Sequence, residues 1–512
     1  MNKNLNNGSL FSSITRRNFI RAAGGCGAMS GISALSTLLD LRLTASVMAQ
    51  QPSPGDYKAL VCVFLFGGND SFNMLAPYDE LPYNGYVSIR RGRFTESGGV
   101  GVALPRDIDL DSDPSDPNYG MSLKPIVASS GAYGIHGYFN AGKNSGIDGF
   151  DDNHMQGLYK KGELAFVANV GSAPRPVDKS NWDSNRPVGL FSHSDEQRNW
   201  MTSLPQSRAE SIGWGGRMAD VLSDSVNLDS KIGMGIALGG NAWMRGAQTS
   251  PYIVSTGGAT KLGGYGGGAA RNKILTSATD GLLSQQYANL LEMTHAGARK
   301  KAIDAAIEYS NATQGIELLT DNGLGFGAWP TYSFAAQLKQ VAKAIAAREQ
   351  LGQERQIFFV SRGGFDNHSN LINNHTGSMP QIGEGLYRFT EELRAQNVLD
   401  QVTTFTMSDF GRTLVGNDNK GADHAWGSNQ LVIGGAVKGG EVHGTYPDMS
   451  EPANFNDKDG LYTTDRRGRM IPSTSVDQYV KELVEWFGVS PSDLSTILPN
   501  IGNFPDSLDL MA

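Results

Sequence analysis

Acidic and histidine side chains follow the apolar runs of this sequence, at points where strands are expected to end. Asp366 and His368 stand two residues apart in "SRGGFDNHSN", directly after the apolar run "RQIFFV". In an extended backbone the side chains of residues i and i+2 point to the same side, so Asp366 and His368 can bind one metal ion together. The alternative is a polar turn that closes a buried strand, because aspartate is a common turn former.

More carboxylates and another imidazole occur in equivalent places along the chain. Carboxylate and imidazole groups are the ligands that zinc, manganese and similar divalent ions accept. Taken singly, an aspartate after a strand indicates only a turn or a helix cap. Their co-occurrence at separate strand ends predicts a metal site. The predicted metal ligands are Asp70, Asp366, His368, Asp409, Asp423 and His424.

Ester hydrolysis at such a site also needs a nucleophile. Ser192 and His193 precede "DEQRNWM", a predicted helix start whose backbone N–H groups favour an anion. Ser192 is therefore a candidate nucleophile with His193 beside it, although a serine at this place also fits a helix cap. Ser71, next to Asp70, is the second candidate. Arg412 in "DFGRT" can bind a phosphate or sulfate oxygen bidentately, with a structural ion pair as the alternative.

The elements that must position these residues alternate along the chain. Apolar runs predict strands in "ALVCVFLF", "GELAFVANVG", "RQIFFVSRGG", "QVTTFTMSDFG" and "QLVIGGAV". Helical patterns lie between several of them, over Leu282–Ala312, Ser333–Glu349 and Gln381–Gln396. The alternation predicts an α/β fold, a three-layer α/β/α sandwich with a mostly parallel central sheet. In such sheets the functional residues lie at the carboxyl ends of the strands.

The N-terminal segment resembles a twin-arginine export signal. Arg16 and Arg17 precede "NFIR" and a weakly hydrophobic stretch, and "TASVMAQ" predicts cleavage after Ala49. Residues 1–49 are thus the predicted signal peptide, and residues 50–512 a single domain with long loop insertions. An uncleaved anchor, a mitochondrial-type segment and lipid attachment at Cys26 are the alternatives. The signal predicts a periplasmic or secreted protein that meets the twin-arginine translocase during export.

The net charge limits the classes of binding partner, and the cysteine content limits the possible disulfide bonds. The chain carries a net charge of −8 at pH 7, and removal of the basic signal makes it more negative. An acidic surface argues against nucleic acid and anionic membranes as partners. The apolar part of the signal is too short for the roughly 20 residues of a membrane span, so no stable membrane anchor is expected. Only Cys62 follows the predicted cleavage site, which excludes an intramolecular disulfide.

In combination, the motifs resemble those of domain-of-unknown-function family 1501. The stretches "FLFGGNDSFNMLAPYD", "FSHSDEQ", "SIGWGGRMAD", "GGFDNH" and "GADHAWG" occur in the order of that family, over nearly the whole mature chain. These are secreted bacterial proteins assigned to the alkaline phosphatase and sulfatase superfamily. The resemblance implies an alkaline phosphatase-like fold with metal ligands and a nucleophile at the strand ends. It also implies hydrolysis of phosphate or sulfate esters.

The resemblance further implies a division of the ligands between two ions. Asp366, His368 and His424 would serve one metal ion, and Asp409 the other. Catalytic superfamily members usually carry a histidine directly after the fourth-strand acid, where this chain has Phe410. The departure leaves a one-metal site or a non-catalytic descendant open.

Two functions from different classes follow. The first is an exported metal-dependent hydrolase of phosphate or sulfate esters, acting on a small-molecule or polysaccharide ester. It would use one or two divalent ions, zinc first, with manganese, calcium or magnesium as alternatives. The second is a non-catalytic periplasmic binding or assembly protein that retains the fold.

Overall fold

A ten-stranded sheet organises the described part of the chain. The computed structural model describes residues 56–106, 118–141, 154–321 and 329–512. The predicted signal peptide and its cleavage site after Ala49 lie outside these residues. The strands, in chain order, are β1 (Lys58–Leu65), β2 (Leu75–Pro77), β3 (Lys124–Ala128), β4 (Gly131–Ile135), β5 (Leu164–Gly171), β6 (Gly235–Ala237), β7 (Tyr252–Ser255), β8 (Gly258–Ala259), β9 (Arg355–Arg362), β10 (Val402–Ser408), β11 (Ser428–Ile433), β12 (Val442–His443) and β13 (Thr474–Ser475).

Helices follow most of the strands. In chain order they are α1 (Ser71–Met74), α2 (Glu80–Ile89), α3 (Gly137–Ala141), α4 (Met155–Lys160), α5 (Trp182–Asn185), α6 (His193–Thr202), α7 (Trp214–Leu222), α8 (Ala270–Leu283), α9 (Leu290–Thr313), α10 (Ser333–Ala346), α11 (Leu371–Ala395), α12 (Ala453–Asn456), α13 (Val476–Phe487) and α14 (Leu494–Ile497). In the described ranges, no helix is both long and apolar enough to cross a membrane.

The large sheet is mostly parallel. Its order is β12-β5-β11-β10-β1-β9-β6-β7-β8, and β13 also pairs with β5. β1 lies between β9 and β10 and is parallel to both, whereas β11 is antiparallel to its neighbours β10 and β5. A separate small sheet has the order β2-β4-β3. The structure therefore confirms a mixed α/β fold with a large, mostly parallel central sheet.

Alternate residues of β1 enter two different cores. Val61 and Val63 belong to a cluster that includes side chains of α10 and α11. Cys62 and Phe64 belong to a second cluster, which includes side chains of α7 and α13. Because both faces of the strand are covered, every residue from Ala59 to Leu65 is buried, which explains why "ALVCVFLF" is continuously apolar.

The predicted strands are all present, whereas two helix boundaries were wrong. The helix predicted over Leu282–Ala312 corresponds to α9, which begins at Leu290; the predicted start falls on the last two residues of α8, and six non-helical residues separate the two helices. The helix predicted from Gln381 begins ten residues earlier, at Leu371, and passes through Pro380. A proline favours a helix boundary, but α11 buries residues on both sides of Pro380, and this packing keeps the helix continuous.

Three central strands end at the same level of the sheet. Leu65 at the end of β1 pairs with Ser408 of β10 and with Arg362 of β9. The segments that follow β9 and β10 carry Asp366 and Asp409 respectively. Since β11 runs antiparallel, it begins at this same edge, so the preceding Asp423 and His424 also arrive there. A single edge thus gathers residues that are far apart in sequence.

Candidate metal centre

Three imidazoles converge on the carboxylate of Asp366. Its Oδ1 atom lies 3.0 Å from Nε2 of His368, 3.3 Å from Nε2 of His424 and 3.5 Å from Nε2 of His193. The Nε2 atoms of His368 and His424 are 3.0 Å apart. The structure thus brings together Asp366, His368 and His424 as predicted, and it adds His193 to them.

The opposite nitrogen of each ring is held by an oxygen atom. Nδ1 of His193 lies 2.6 Å from Oδ2 of Asp409, and Nδ1 of His368 lies 2.9 Å from Oδ1 of Asp423. Nδ1 of His424 lies 2.8 Å from the carbonyl oxygen of Phe191. Carboxylate and carbonyl oxygens only accept hydrogen bonds, so each Nδ1 carries the proton. With Nδ1 protonated, each ring in its neutral form presents the lone pair of its Nε2 atom toward Asp366.

This arrangement fits a divalent cation. Lone pairs that face one another across 3.0 Å repel unless a proton or a cation lies between them. Ligand atoms around a tetrahedral zinc ion lie roughly 3.3 Å apart, given bonds of about 2.0 to 2.1 Å. Ligand atoms of His193, Asp366 and His424 lie within 4.8 Å of one another, and Nε2 of His193 is buried without a hydrogen-bond partner. His193, Asp366 and His424 thus have the donor set and spacing of a metal centre, and His368 lies beside them, in contact with Asp366 and His424.

Asp409 and Asp423 accept hydrogen bonds from the histidine rings and do not face Asp366. Oδ2 of Asp409 also accepts a hydrogen bond of 3.0 Å from Gln197, which stands one turn after His193 in α6. Asp423 accepts from His368, and its backbone N–H donates to Thr413. Carboxylates that hold the second nitrogen of a ligating histidine fix its tautomer and raise its basicity. The predicted ligands Asp409 and Asp423 are thus placed around the histidines.

Close backbone approaches allow the loops to meet. A β-carbon on Gly421 would lie 2.1 Å from the carbonyl carbon of His368, so only glycine lets these two loops touch. Gly67 has a φ of +111°, and a β-carbon there would lie 2.5 Å from the backbone nitrogen of Asp366. The loop after β10 turns back on itself, with an antiparallel bridge between Arg412 and His424.

His193 is the first residue of α6, and the start of this helix places its ring in the cluster. Its N-cap residue Ser192 has an extended backbone but makes no side-chain cap hydrogen bond. Oγ of Ser192 lies 3.3 Å from Oγ of Ser194, and no described hydrogen bond joins it to the three histidines. Glu196, in the next turn, is buried and accepts a hydrogen bond from Ser172 after β5. This contact fixes α6 to the end of the sheet.

Arg412 is fully engaged inside the protein. Its Nε donates to the carbonyl oxygen of Gly68 at 2.9 Å, and Nη1 donates to that of Ala422 at 3.0 Å. Nη2 donates to Gly67 and, at 2.6 Å, to Oδ1 of Asp366. The guanidinium therefore positions Asp366 and joins three loops, which corresponds to the ion-pair alternative for this residue.

Phe410 fills the space beside two of the rings. Its ring centroid lies 4.8 Å from that of His193 and 4.6 Å from that of His424, and the side chain is fully buried. A β-carbon on Gly68 would lie 2.5 Å from the Phe410 ring, so this side of the cluster is closely packed. Among the described residues, the four-residue cluster has no second group of metal ligands beside it.

The ionisation of the cluster suits a cation. Burial opposes ionisation of Asp366, but the hydrogen bond and charge of Arg412, with His193 and His368, lower its pKa to about 2. Burial lowers the pKa of His424, helped by the positive charge of Arg412. The hydrogen bond to Asp409 raises the pKa of His193, so a cation at its Nε2 competes with a second proton. At neutral pH the site therefore offers a carboxylate and a neutral His424.

Two other predicted residues lie away from the cluster. Asp70 is fully buried and pairs with Arg90, whose Nη1 lies 3.2 Å from its Oδ1. Ser71 is also fully buried, and its Oγ accepts a hydrogen bond of 2.8 Å from the backbone nitrogen of Asn429. The contacts of both residues join β1 to its surroundings and do not bring them to Asp366.

Comparisons with known proteins support the family. The model of the family described as "Protein of unknown function (DUF1501)" matches residues 269–458. This match supports the family indicated by the motifs. It spans Asp366, His368 and His424 but not His193. A comparison with curated proteins found no significant match.

Two solved structures show weak similarity. The crystal structure of Ps i-CgsB is 12% identical, with 87% of this chain and 77% of that chain covered and a TM-score of 0.28. The complex of Ps i-CgsB with k-i-k-neocarrahexaose is 10% identical, with 88% and 75% covered and a TM-score of 0.26. At these TM-scores the two matches support no conclusion about fold or activity.

Proposed function

We propose that this chain is an exported metal-dependent hydrolase of phosphate or sulfate esters with an alkaline phosphatase-like fold. One observation carries the proposal: at one point, Oδ1 of the ionised Asp366, the Nε2 atoms of three histidines come within 3.5 Å, while every Nδ1 is held by an oxygen. Side chains of Asp366 and His368 are 50% and 47% exposed, so an ester can reach this point. A buried structural site would need no such access.

The donor set favours zinc among the expected ions. Imidazole nitrogens suit zinc and other transition metals, whereas magnesium and calcium are bound mostly by oxygen atoms. His193, His368 and His424 supply nitrogen, and Asp366 supplies the single carboxylate. One ion fits His193, Asp366 and His424, and His368 lies beside that group. Such an ion supplies a Lewis acid that polarises the ester and stabilises developing negative charge.

The protein residues have separate roles in this proposal. Asp409 and Asp423 hold the rings in the tautomer that binds a cation, and Arg412 fixes Asp366. Ser192 directly precedes His193, at the N-cap of α6, and remains the proposed nucleophile. Since its nearest hydroxyl partner is Ser194, Ser192 must turn toward the ester to attack it, and a Ser192→Ala variant tests this role directly.

A non-catalytic binding protein is the second candidate function. The observation that favours it is Phe410, which packs against His193 and His424 where the superfamily pattern expects another ligand. With this side closed, the site holds one ion, and one ion can serve ligand binding as well as hydrolysis. Turnover of aryl phosphates or aryl sulfates distinguishes the two functions, because a binding protein shows none with any divalent ion.

Metal analysis of the purified full chain tests the proposal. We expect about one equivalent of zinc per chain in the wild type and less than a tenth of that in an Asp366→Ala/His368→Ala variant, since the carboxylate ligand and the imidazole beside it are lost. Elemental analysis after exhaustive dialysis measures both values. An Asp418→Ala/His295→Ala variant is the control, because it removes the same residue types at exposed positions. Equal metal contents in the wild type and the ligand variant would refute the site.

A further inference from the structure

A polar groove opens beside Asp366. It has a volume of about 480 Å³ and lies between the end of β9 and the first turns of α11. Its lining includes Arg362, Asp366, Asn367, Asn373, Asn374 and Ser378. The groove shares Asp366 with the candidate metal centre, so the two adjoin at this residue.

Two hydrogen-bond donors in this groove have no partner. Nε of Arg362 is buried without a hydrogen bond, and within the described residues Arg362 forms no ion pair. Nδ2 of Asn367 also has no partner, and this residue is only 5% exposed. A buried donor left unsatisfied costs roughly 1 to 3 kcal/mol. Two of them at one groove indicate that acceptor atoms from outside the chain bind there.

The neighbouring arginine gives a contrast. Arg412 uses its donors on three carbonyl oxygens and on Asp366. Arg362, four residues before Asp366 in the chain, has none of these contacts, so its charge is available to a ligand. A planar guanidinium favours the oxygens of phosphate, sulfate and carboxylate groups.

We infer that this groove is an anion-binding subsite, in which Arg362 and Asn367 donate hydrogen bonds to a phosphate, sulfate or carboxylate group. As a part of the substrate-binding region it rests on the proposed function. The substrate then carries one anionic group in the groove and the scissile ester at the histidine cluster. The carboxylate of Asp366 repels an anion, but Arg412 and a bound cation offset its charge.

Calorimetric titration with inorganic phosphate and inorganic sulfate tests the subsite on the full chain. We expect an Arg362→Met variant to bind these anions at least about tenfold more weakly than the wild type, since hydrogen bonds to charged groups are the strong ones. Asn367→Leu is expected to weaken binding less. Arg362→Lys keeps the charge and is expected to restore part of the affinity. Arg271→Met, an exposed arginine on α8, is the control and should bind like the wild type.

The metal-ligand variant separates this inference from the proposed function. If Asp366→Ala/His368→Ala lacks metal but still binds the anions, while Arg362→Met does not, the groove binds them itself. If Arg362→Met binds as tightly as the wild type, or if the wild type binds neither anion at millimolar concentration, the subsite is wrong. Metal content is measured on every variant, so an empty metal site with a working groove would overturn only the proposed function.

Discussion

At the scale of single residues, the place of each aspartate around the histidines decides whether it can bind a metal ion or only orient a histidine ring. Asp366 faces the Nε2 atoms, whereas Asp409 and Asp423 accept from the Nδ1 atoms on the outer side. All three aspartates lie in loops at one edge of the sheet: Asp366 and Asp409 follow β9 and β10, and Asp423 precedes β11. Their sequence contexts are alike, and only the direction of each side chain separates a ligand from a residue that orients a ligand.

Asp409→Asn is expected to weaken metal binding without removing a ligand. The amide keeps the size of the side chain, and its oxygen can still accept from His193 and Gln197, but the negative charge that strengthens the bond to the ring and raises its basicity is lost. We expect a loss of affinity of about 10- to 100-fold, measured by competition with a chromogenic chelator. Asp418→Asn, on an exposed loop, is the control. An affinity equal to that of the wild type would show that Asp409 does not orient His193.

At the scale of elements, the helices differ in how firmly they are held. α10 buries eight of its 14 residues against the sheet, whereas α8, also 14 residues long, buries none. Most helical stability in proteins comes from packing rather than from intrinsic propensity. The two helices therefore have equal length but very different tertiary support.

Hydrogen exchange should separate α8 from α10. We expect amide hydrogens of Ala270–Leu283 to exchange at least about a hundredfold faster than those of Ser333–Ala346, because local opening of α8 exposes no core. Peptide-level exchange with mass spectrometry on the full chain measures this difference. Similar protection in both helices would mean that another surface covers α8 in solution.

At the scale of the whole molecule, one buried acid joins distant segments. Asp477, near the start of α13, accepts hydrogen bonds from Oγ of Ser203 after α6 and from the backbone nitrogen of Asn500. Burial is the main cause that raises its pKa from 3.8 to about 7. The folded chain thus holds a proton here at pH values where the unfolded chain releases it.

This proton makes stability depend on pH. Because the pKa of the folded state is raised, the contribution of Asp477 is fully present below about pH 4 and is lost as the pH rises through about 7. We expect an Asp477→Asn variant, which carries no proton to lose, to gain stability relative to the wild type between pH 4.5 and pH 7.5. The gain should be on the order of a few kcal/mol. Urea unfolding at both pH values measures it, and parallel changes in the two proteins would contradict it.

The sequence by itself determined the strands, the edge and part of the site. Continuous apolar runs are unambiguous because a strand buried on both faces has no polar position, and the residues after them included Asp366, His368 and His424. The start of α11 was placed ten residues too late because packing on both sides of Pro380 overrides the local signal of the proline, and the break between α8 and α9 falls at mostly exposed residues without a glycine or proline to mark it.

Only the tertiary structure decided which residues meet. His193 lies more than 170 residues before Asp366, and its ring joins the cluster because α6 begins at the edge where β9, β1 and β10 end. Asp70, like Asp366, follows an apolar strand, yet its carboxylate forms an ion pair with Arg90 and is not part of the cluster. The direction of a side chain and the identity of its partner depend on contacts between distant segments, and local patterns of residue type do not contain them.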